Sequence, residues 1–153
     1  MISETVHYPF KIVWLHWLTL VLIGIQLAIG YLTEDLVENE TLFPMHLVLG
    51  FTIVFLTIFR FTLKVRLSKE CPAKPERLSD KEWFYARLGH KALYALLIVT
   101  PVTGVLAWKV GEDFEEIHET VVTVFWIFIA LHVLAVLKHY VIDKENLLKR
   151  LRF

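Results

Sequence analysis

The chain has 153 residues, of which 56% are hydrophobic and 14% aromatic, and its mean hydropathy is +0.56. That is enough for one domain, but too apolar for an ordinary water-soluble one. Lysines and arginines number 16 and acidic residues 16, so a nucleic-acid partner has no overall electrostatic support.

Four apolar stretches follow in order, at about 13–32, 42–63, 88–108 and 118–142, each close to the roughly 20 residues that a helix needs to cross a hydrocarbon core. A spanning segment must satisfy its own backbone hydrogen bonds, and these runs are too long and too little alternating for barrel strands. The expectation is an all-α, integral membrane four-helix bundle occupying residues 1–153 as one domain. The first stretch has no small-residue cleavage pattern after it and is read as a retained helix. Pro44 suits the first turn of the second helix, and Pro101 should kink the third. Cys71, the single cysteine, lies in a charged, proline-containing stretch and reads as an exposed, reduced loop thiol.

Loop charge predicts the orientation. Glu34, Asp35, Glu38, Glu40, Glu112, Asp113, Glu115, Glu116 and Glu119 flank the second and fourth helices at one end, against the single cation Lys109. Every other lysine and arginine falls at the N-terminus, between the second and third helices, or at the C-terminus. Positive residues stay inside. Both termini and the Arg60 to Lys91 region should therefore be cytoplasmic in a bacterial inner membrane, with the acidic loops outside. Trp14, Trp17, Tyr31, Trp83, Tyr85, Trp108 and Tyr140 fall near the predicted boundaries, as an aromatic belt would.

Ionisable residues inside spanning helices are costly and are functional hypotheses by default. Any one of His16, His46, His118 and His132 alone would read as a satisfied bundle histidine, but the four together do not. His118 and His132 lie within about 40° of one helical face and about 21 Å apart along it. Helix direction then matches the histidines in pairs: His16 opposes His132 near the inner face, and His46 opposes His118 near the outer face. Two imidazoles facing each other across a bundle are the expected axial ligation of a low-spin haem. The reading is therefore two haems of the b type. A zinc or di-iron site needs several ligands at one level, which levels about 21 Å apart do not supply.

Gly24 and Gly50 follow His16 and His46 on their faces and would make room for a flat macrocycle, although packing glycines are common in membrane helices. Arg60 shares the face of His46 near the inner boundary, where it would meet haem propionates or simply snorkel. His90 and His139 lie on the cytoplasmic side without a place in either ligand pair. They are candidates for hydrogen-bonding a quinone and delivering protons, or are interfacial histidines without a ligand. His7 precedes the first helix and has no assigned role.

These residues resemble the bacterial cytochrome b561 family, which includes the cytochrome b subunits of nickel-iron hydrogenases and formate dehydrogenases. The resemblance rests on Leu15-His16-Trp17, on Met45-His46-Leu47 with Gly50 and Arg60, and on Gly89-His90 through Tyr94 to Pro101 and Gly104. In the last helix it rests on His118-Glu119-Thr120, Leu131-His132, His139-Tyr140 and Asp143 through Leu148. It implies inner-membrane ligation of two b haems by His16 with His132 and His46 with His118, and ubiquinone as a bound substrate near His139 and His90. The nearest pattern is that of the family's stand-alone superoxide:ubiquinone oxidoreductases, although the outer segment 109–117 is shorter here. The acidic outer side would repel superoxide and attract a basic periplasmic redox protein, such as a c-type cytochrome. Two function classes follow: a self-contained quinone-coupled oxidoreductase, or the membrane-anchoring cytochrome b subunit of a dehydrogenase or hydrogenase complex. The expected surroundings are membrane lipid and, through the apolar outer faces, a second copy of the chain.

Overall fold

The computed structural model describes residues 7–32 and 38–152. Glu34 and Asp35 of the expected acidic loop lie outside the described residues. Four long helices form in order: α1 (Phe10–Leu32), α2 (Leu42–Arg66), α3 (Asp80–Val110) and α4 (Glu112–Val141), with single-turn 3-10 helices at Ser68–Glu70 and Leu147–Leu151. No strand occurs among the described residues. All four helices are long and apolar enough to cross a membrane. The 23 residues of α1 reach about 35 Å, enough for a hydrocarbon core of about 30 Å.

Helix ends follow capping chemistry more than hydropathy. The α3 helix begins eight residues before its apolar run because Ser79 and Glu82 form a reciprocal capping box. Ser79 Oγ accepts from the Glu82 backbone N–H at 3.2 Å, while the Glu82 carboxylate accepts from the Ser79 backbone N–H at 3.0 Å. At the start of α2, the Asn39 side chain accepts from the backbone N–H groups of Thr41 and Leu42. Pro44 sits in that first turn, where its missing N–H costs no helical bond. Pro101 lies inside α3, which continues through it as one helix.

The expected outer loop 109–117 is instead helix on both sides of Gly111. That residue has φ 116° and ψ −161°, a combination essentially open only to glycine. One residue therefore reverses the chain, and α3 and α4 pack along each other as the most extensive contact in the bundle. The α1 and α2 helices form the other tight pair, and the two pairs meet mainly through α2 and α3.

Lipid-facing surface dominates. Only 6% of the most apolar window of α4 and 17% of that of α2 is buried inside the chain, which is tolerable only where the solvent is itself apolar. Trp14, Tyr31, Tyr85, Trp108 and Tyr140 are exposed toward the helix ends, as the belt requires. The true core is small: Ile53, Leu97 and Phe125, with Leu22, Ile23, Leu93, Leu96 and Ile129 packed on them.

At the end carrying the basic residues, the chain termini are laced together. The Tyr8 backbone N–H donates to the Arg150 carbonyl at 3.0 Å, Trp17 Nε1 donates to the Leu151 carbonyl at 3.2 Å, and the His7 ring bonds the Lys149 carbonyl at 2.7 Å. His7 thus ties the two termini together. Arg150 reaches across to the Ala73 carbonyl in the α2–α3 connection. Cys71, in the same connection, is half-buried rather than exposed, and burial raises its thiol pKa, which works against thiolate chemistry.

Candidate functional site

The core cluster separates two levels of histidine. Phe125 is seven residues from both His118 and His132 on α4, so an apolar layer lies about 10 Å from each. His46 on α2 and His118 on α4 are within electrostatic reach of one another at the acidic end. His16 on α1 is within reach of His132, His90 and Arg60 at the basic end. The spacing-derived pairs His16 with His132 and His46 with His118 are thus each at one level.

At the acidic end, glycines shape the space for the rings. A Cβ on Gly30 would stand 3.4 Å from His46 Cε1, and a Cβ on Gly104 would stand 3.0 Å from His118 Cε1 and 3.4 Å from both ring nitrogens. His118 is braced as well. Its Nδ1 is 3.1 Å from Thr103 Oγ1, and that hydroxyl donates to the Thr100 carbonyl at 2.8 Å. With the hydroxyl proton so used, Nδ1–H donates to Thr103 and Nε2 keeps its lone pair. Gln26 Nε2 donates to the His46 carbonyl at 3.0 Å. Gly50 makes room for this Gln26 side chain, 3.4 Å from where a Cβ would be. Its small size serves α1–α2 packing here. Gly24 has nothing within 4 Å of an added Cβ and lines an open apolar cleft with Leu27, Ala28, Tyr31 and Trp126. The cleft measures about 470 Å³ and is open on the outer surface of the bundle.

At the basic end, the His90 and His132 rings meet edge to face, 4.9 Å between centroids. His90 Nδ1–H donates to the Ala86 carbonyl at 2.7 Å, which leaves Nε2 free. Arg60 on α2 stacks over the Tyr94 ring with its guanidinium carbon 5.6 Å from the centroid, and Lys64 Nζ lies 6.0 Å from it. Arg60 Nε and the Tyr94 hydroxyl are both buried without a hydrogen-bond partner. Two cations beside unpartnered donors form a pocket for an anionic group.

His139 goes elsewhere. Its side chain is 9% exposed, and Nδ1–H donates to the Asp143 carboxylate at 2.6 Å. Lys138 Nζ bonds both Glu82 and Asp143, at 2.7 and 3.0 Å. Among the described residues no hydrogen bond or ring contact joins His139 to His90: the His90 ring meets His132 and the His139 ring meets Asp143. Glu82, His139 and Asp143 bring metal-ligand atoms within 4.8 Å of one another, but the Lys138 ammonium already bridges the two carboxylates.

The residues fit a metal-centred macrocycle. The Thr103 bond leaves Nε2 of His118 free for a metal, and a Cβ at Gly30 or Gly104 would crowd the space around the His46 and His118 rings. Sequence reasoning gave no site role to Gly30, Thr103, Gln26 or Lys64, and quoted Asp143 only as part of a motif. Gln26 carried a signal, being an amide inside a spanning helix, and Asp143 carried another, four residues after His139. No curated protein matches the chain. The family model described as prokaryotic cytochrome b561 matches residues 7–152. With nearly its whole length so matched, the chain belongs to the prokaryotic cytochrome b561 family and is a haem-b-binding, multi-pass inner-membrane cytochrome of electron transfer.

Proposed function

We propose that the chain carries two b haems, one at each histidine level, and moves electrons across the membrane to or from ubiquinone. The observation that carries this reading is the pair of histidine levels on either side of one apolar layer, with Nε2 of His118 left free by its Thr103 bond. His16 with His132 would hold the haem at the basic end, and His46 with His118 the one at the acidic end. A b haem held by two imidazoles supplies a reversible one-electron carrier with no open position at iron.

The remaining chemistry belongs to the chain. Thr103 holds His118 with Nε2 free, in the manner of hydrogen-bond partners that orient metal-bound histidines. Gly30 and Gly104 leave the rings room to turn. Arg60 with Tyr94 and Lys64 would neutralise and hydrogen-bond propionates at the basic end. Ile53, Leu97 and Phe125 exclude water between the two levels. The basic end is taken as cytoplasmic, from the positive-inside asymmetry and the common side of both termini. His139, at that end, is assigned to a quinone carbonyl, with His90 as the second candidate for binding quinone or delivering protons.

The external partner follows from charge. Glu38, Glu40, Asp113, Glu115, Glu116 and Glu119 are all exposed, and such a surface steers in a basic redox protein better than the superoxide anion. This favours the second class, in which the chain passes electrons between a periplasmic c-type cytochrome or dehydrogenase subunit and the quinone pool.

A pyridine haemochrome assay on the detergent-purified chain, with a reduced-minus-oxidised spectrum, tests the central claim. About two b haems per chain are expected from the two ligand pairs; one haem would remove one level from the assignment. His139→Ala should keep both haems and slow quinone reduction by about 100-fold or more, the low end of the range typical of positioned proton-transfer groups. An unchanged quinone rate would leave His139 an interfacial residue.

A further inference from the structure

We propose that Asp143 is a positioning residue for His139, fixing the ring orientation and tautomer so that Nε2 alone is presented to the quinone. The inference rests on the assignment of His139 to a quinone carbonyl and adds the group that makes that ring usable.

Asp143 lies two residues beyond the last residue of α4. It reaches His139 because the chain folds back there. Lys144 adopts φ 51°, the left-handed region that non-glycine residues seldom enter, and the Glu145 backbone N–H donates to the His139 carbonyl at 2.9 Å. Arg77, in the α2–α3 connection, holds the turn from outside by donating to the Lys144 carbonyl at 3.0 Å and lying 3.8 Å from the Glu145 carboxylate. A strained residue fixed by contacts from another part of the chain is the sort of local cost that persists where a side chain must be aimed.

The surrounding charges determine what Asp143 can do. Lys138 from α4 and Glu82 from the first turn of α3 complete the cluster. The Lys138 ammonium, by its hydrogen bond first, and then the bond from His139, hold the Asp143 carboxyl below the ordinary carboxylate range. An ionised carboxylate only accepts, so the hydrogen between the two side chains belongs to His139 Nδ1. The nitrogen left for a ligand is then Nε2. Asp143 is 25% exposed beside a ring that is 9% exposed, so it binds the ring from its water-facing side.

In quinone reduction two electrons, delivered by the reduced cytochrome, and two protons convert two carbonyls into two hydroxyls. The Nε2–H bond of a protonated His139 breaks as one O–H bond forms, and the second proton comes from water. A carboxylate on Nδ1 holds the ring at the required angle through that step, as the carboxylate of a catalytic triad does for its histidine. Without it the ring would be free to turn Nδ1 toward the quinone and to exchange tautomers.

The test uses the purified full chain, pre-reduced and mixed anaerobically with a short-chain ubiquinone, with haem content measured alongside. Asp143→Ala removes the acceptor of the Nδ1–H bond and frees the ring to turn and to exchange tautomers. It should slow the limiting rate about tenfold or more, while the half-saturating quinone concentration changes less than about twofold and both haems remain. Asp143→Glu should recover part of the rate. The double variant His139→Ala/Asp143→Ala should be no slower than His139→Ala, since Asp143 acts only through the ring. A slow His139→Ala with a fast Asp143→Ala overturns the positioning role and leaves the quinone assignment standing. A fast His139→Ala overturns the quinone assignment itself. A double variant slower than either single, or haem loss in Asp143→Ala, would show Asp143 supporting the bundle end instead.

Discussion

His132→Ala should lower the haem content from about two per chain to about one, and His118→Ala should do the same while removing the other haem. Each alanine would delete one of the two histidines proposed to hold a haem, and among the described residues no third histidine stands ready at the acidic end: His46 would be the partner ring there, and Thr103 and Gln26 are weak substitutes for imidazole nitrogen. The two losses should differ spectroscopically, because the Arg60, Lys64 and Tyr94 pocket gives the basic-end site a charge environment that the acidic end lacks. The basic end has one complication. The His90 ring stands 4.9 Å from that of His132, so His132→Ala leaves a second imidazole close by. Partial haem retention in His132→Ala, abolished in His90→Ala/His132→Ala, would show His90 taking over as ligand. Two full haems in both His118→Ala and His132→Ala would break the ligand assignment.

What was legible in the sequence was what depends on long-range periodicity. Histidines separated by fourteen residues on α4 define two levels whatever the neighbouring helices do, because the helical rise is fixed. Loop charge separates the ends by the same kind of reasoning, since the effect sums over many residues. Helix boundaries were less legible. The hydropathy of 88–108 misses the first turns of α3, whose stability comes from the Ser79 and Glu82 capping box and not from apolar content. The acidic stretch 112–117 reads as a loop because carboxylates are poor membrane residues, yet it forms the first turns of α4, where negative charge favours a helix N-terminus.

Within the site, illegibility had a different cause: which side chain fills the space opposite a glycine depends on how helices are rotated against each other. Gly50, one turn after His46, has the Gln26 amide 3.4 Å from where its Cβ would be. Gly30, unremarked in the sequence, makes room for His46. His90 and His139 share a side of the membrane and so look like a pair. The rotation of α3 turns His90 onto His132, and the reversal at Lys144 brings Asp143 onto His139. No one-dimensional pattern contains those rotations.

Gly104→Val should remove the acidic-end haem as completely as His118→Ala, while the basic-end haem and the helical content stay. A Cβ at this position stands 3.0 Å from His118 Cε1 and 3.4 Å from both ring nitrogens, tight enough that the ring must give by a few tenths of an ångström even before a larger side chain is added. The ring cannot give way toward Thr103 without breaking the bond that fixes its tautomer, and valine adds two methyl groups with little choice of rotamer in a helix. Overpacking of this kind costs about 1–3 kcal/mol in a well-packed interior, which the long α3–α4 contact can absorb without unfolding. The ligand geometry has no such reserve. Gly104→Ala provides the graded control: one methyl group, a smaller displacement, and partial occupancy of the acidic-end site by the haemochrome measure. If Gly104→Val instead retained both haems with unchanged spectra, His118 would have to bind from another rotamer, and the role given to Thr103 in fixing its free nitrogen would fall with it.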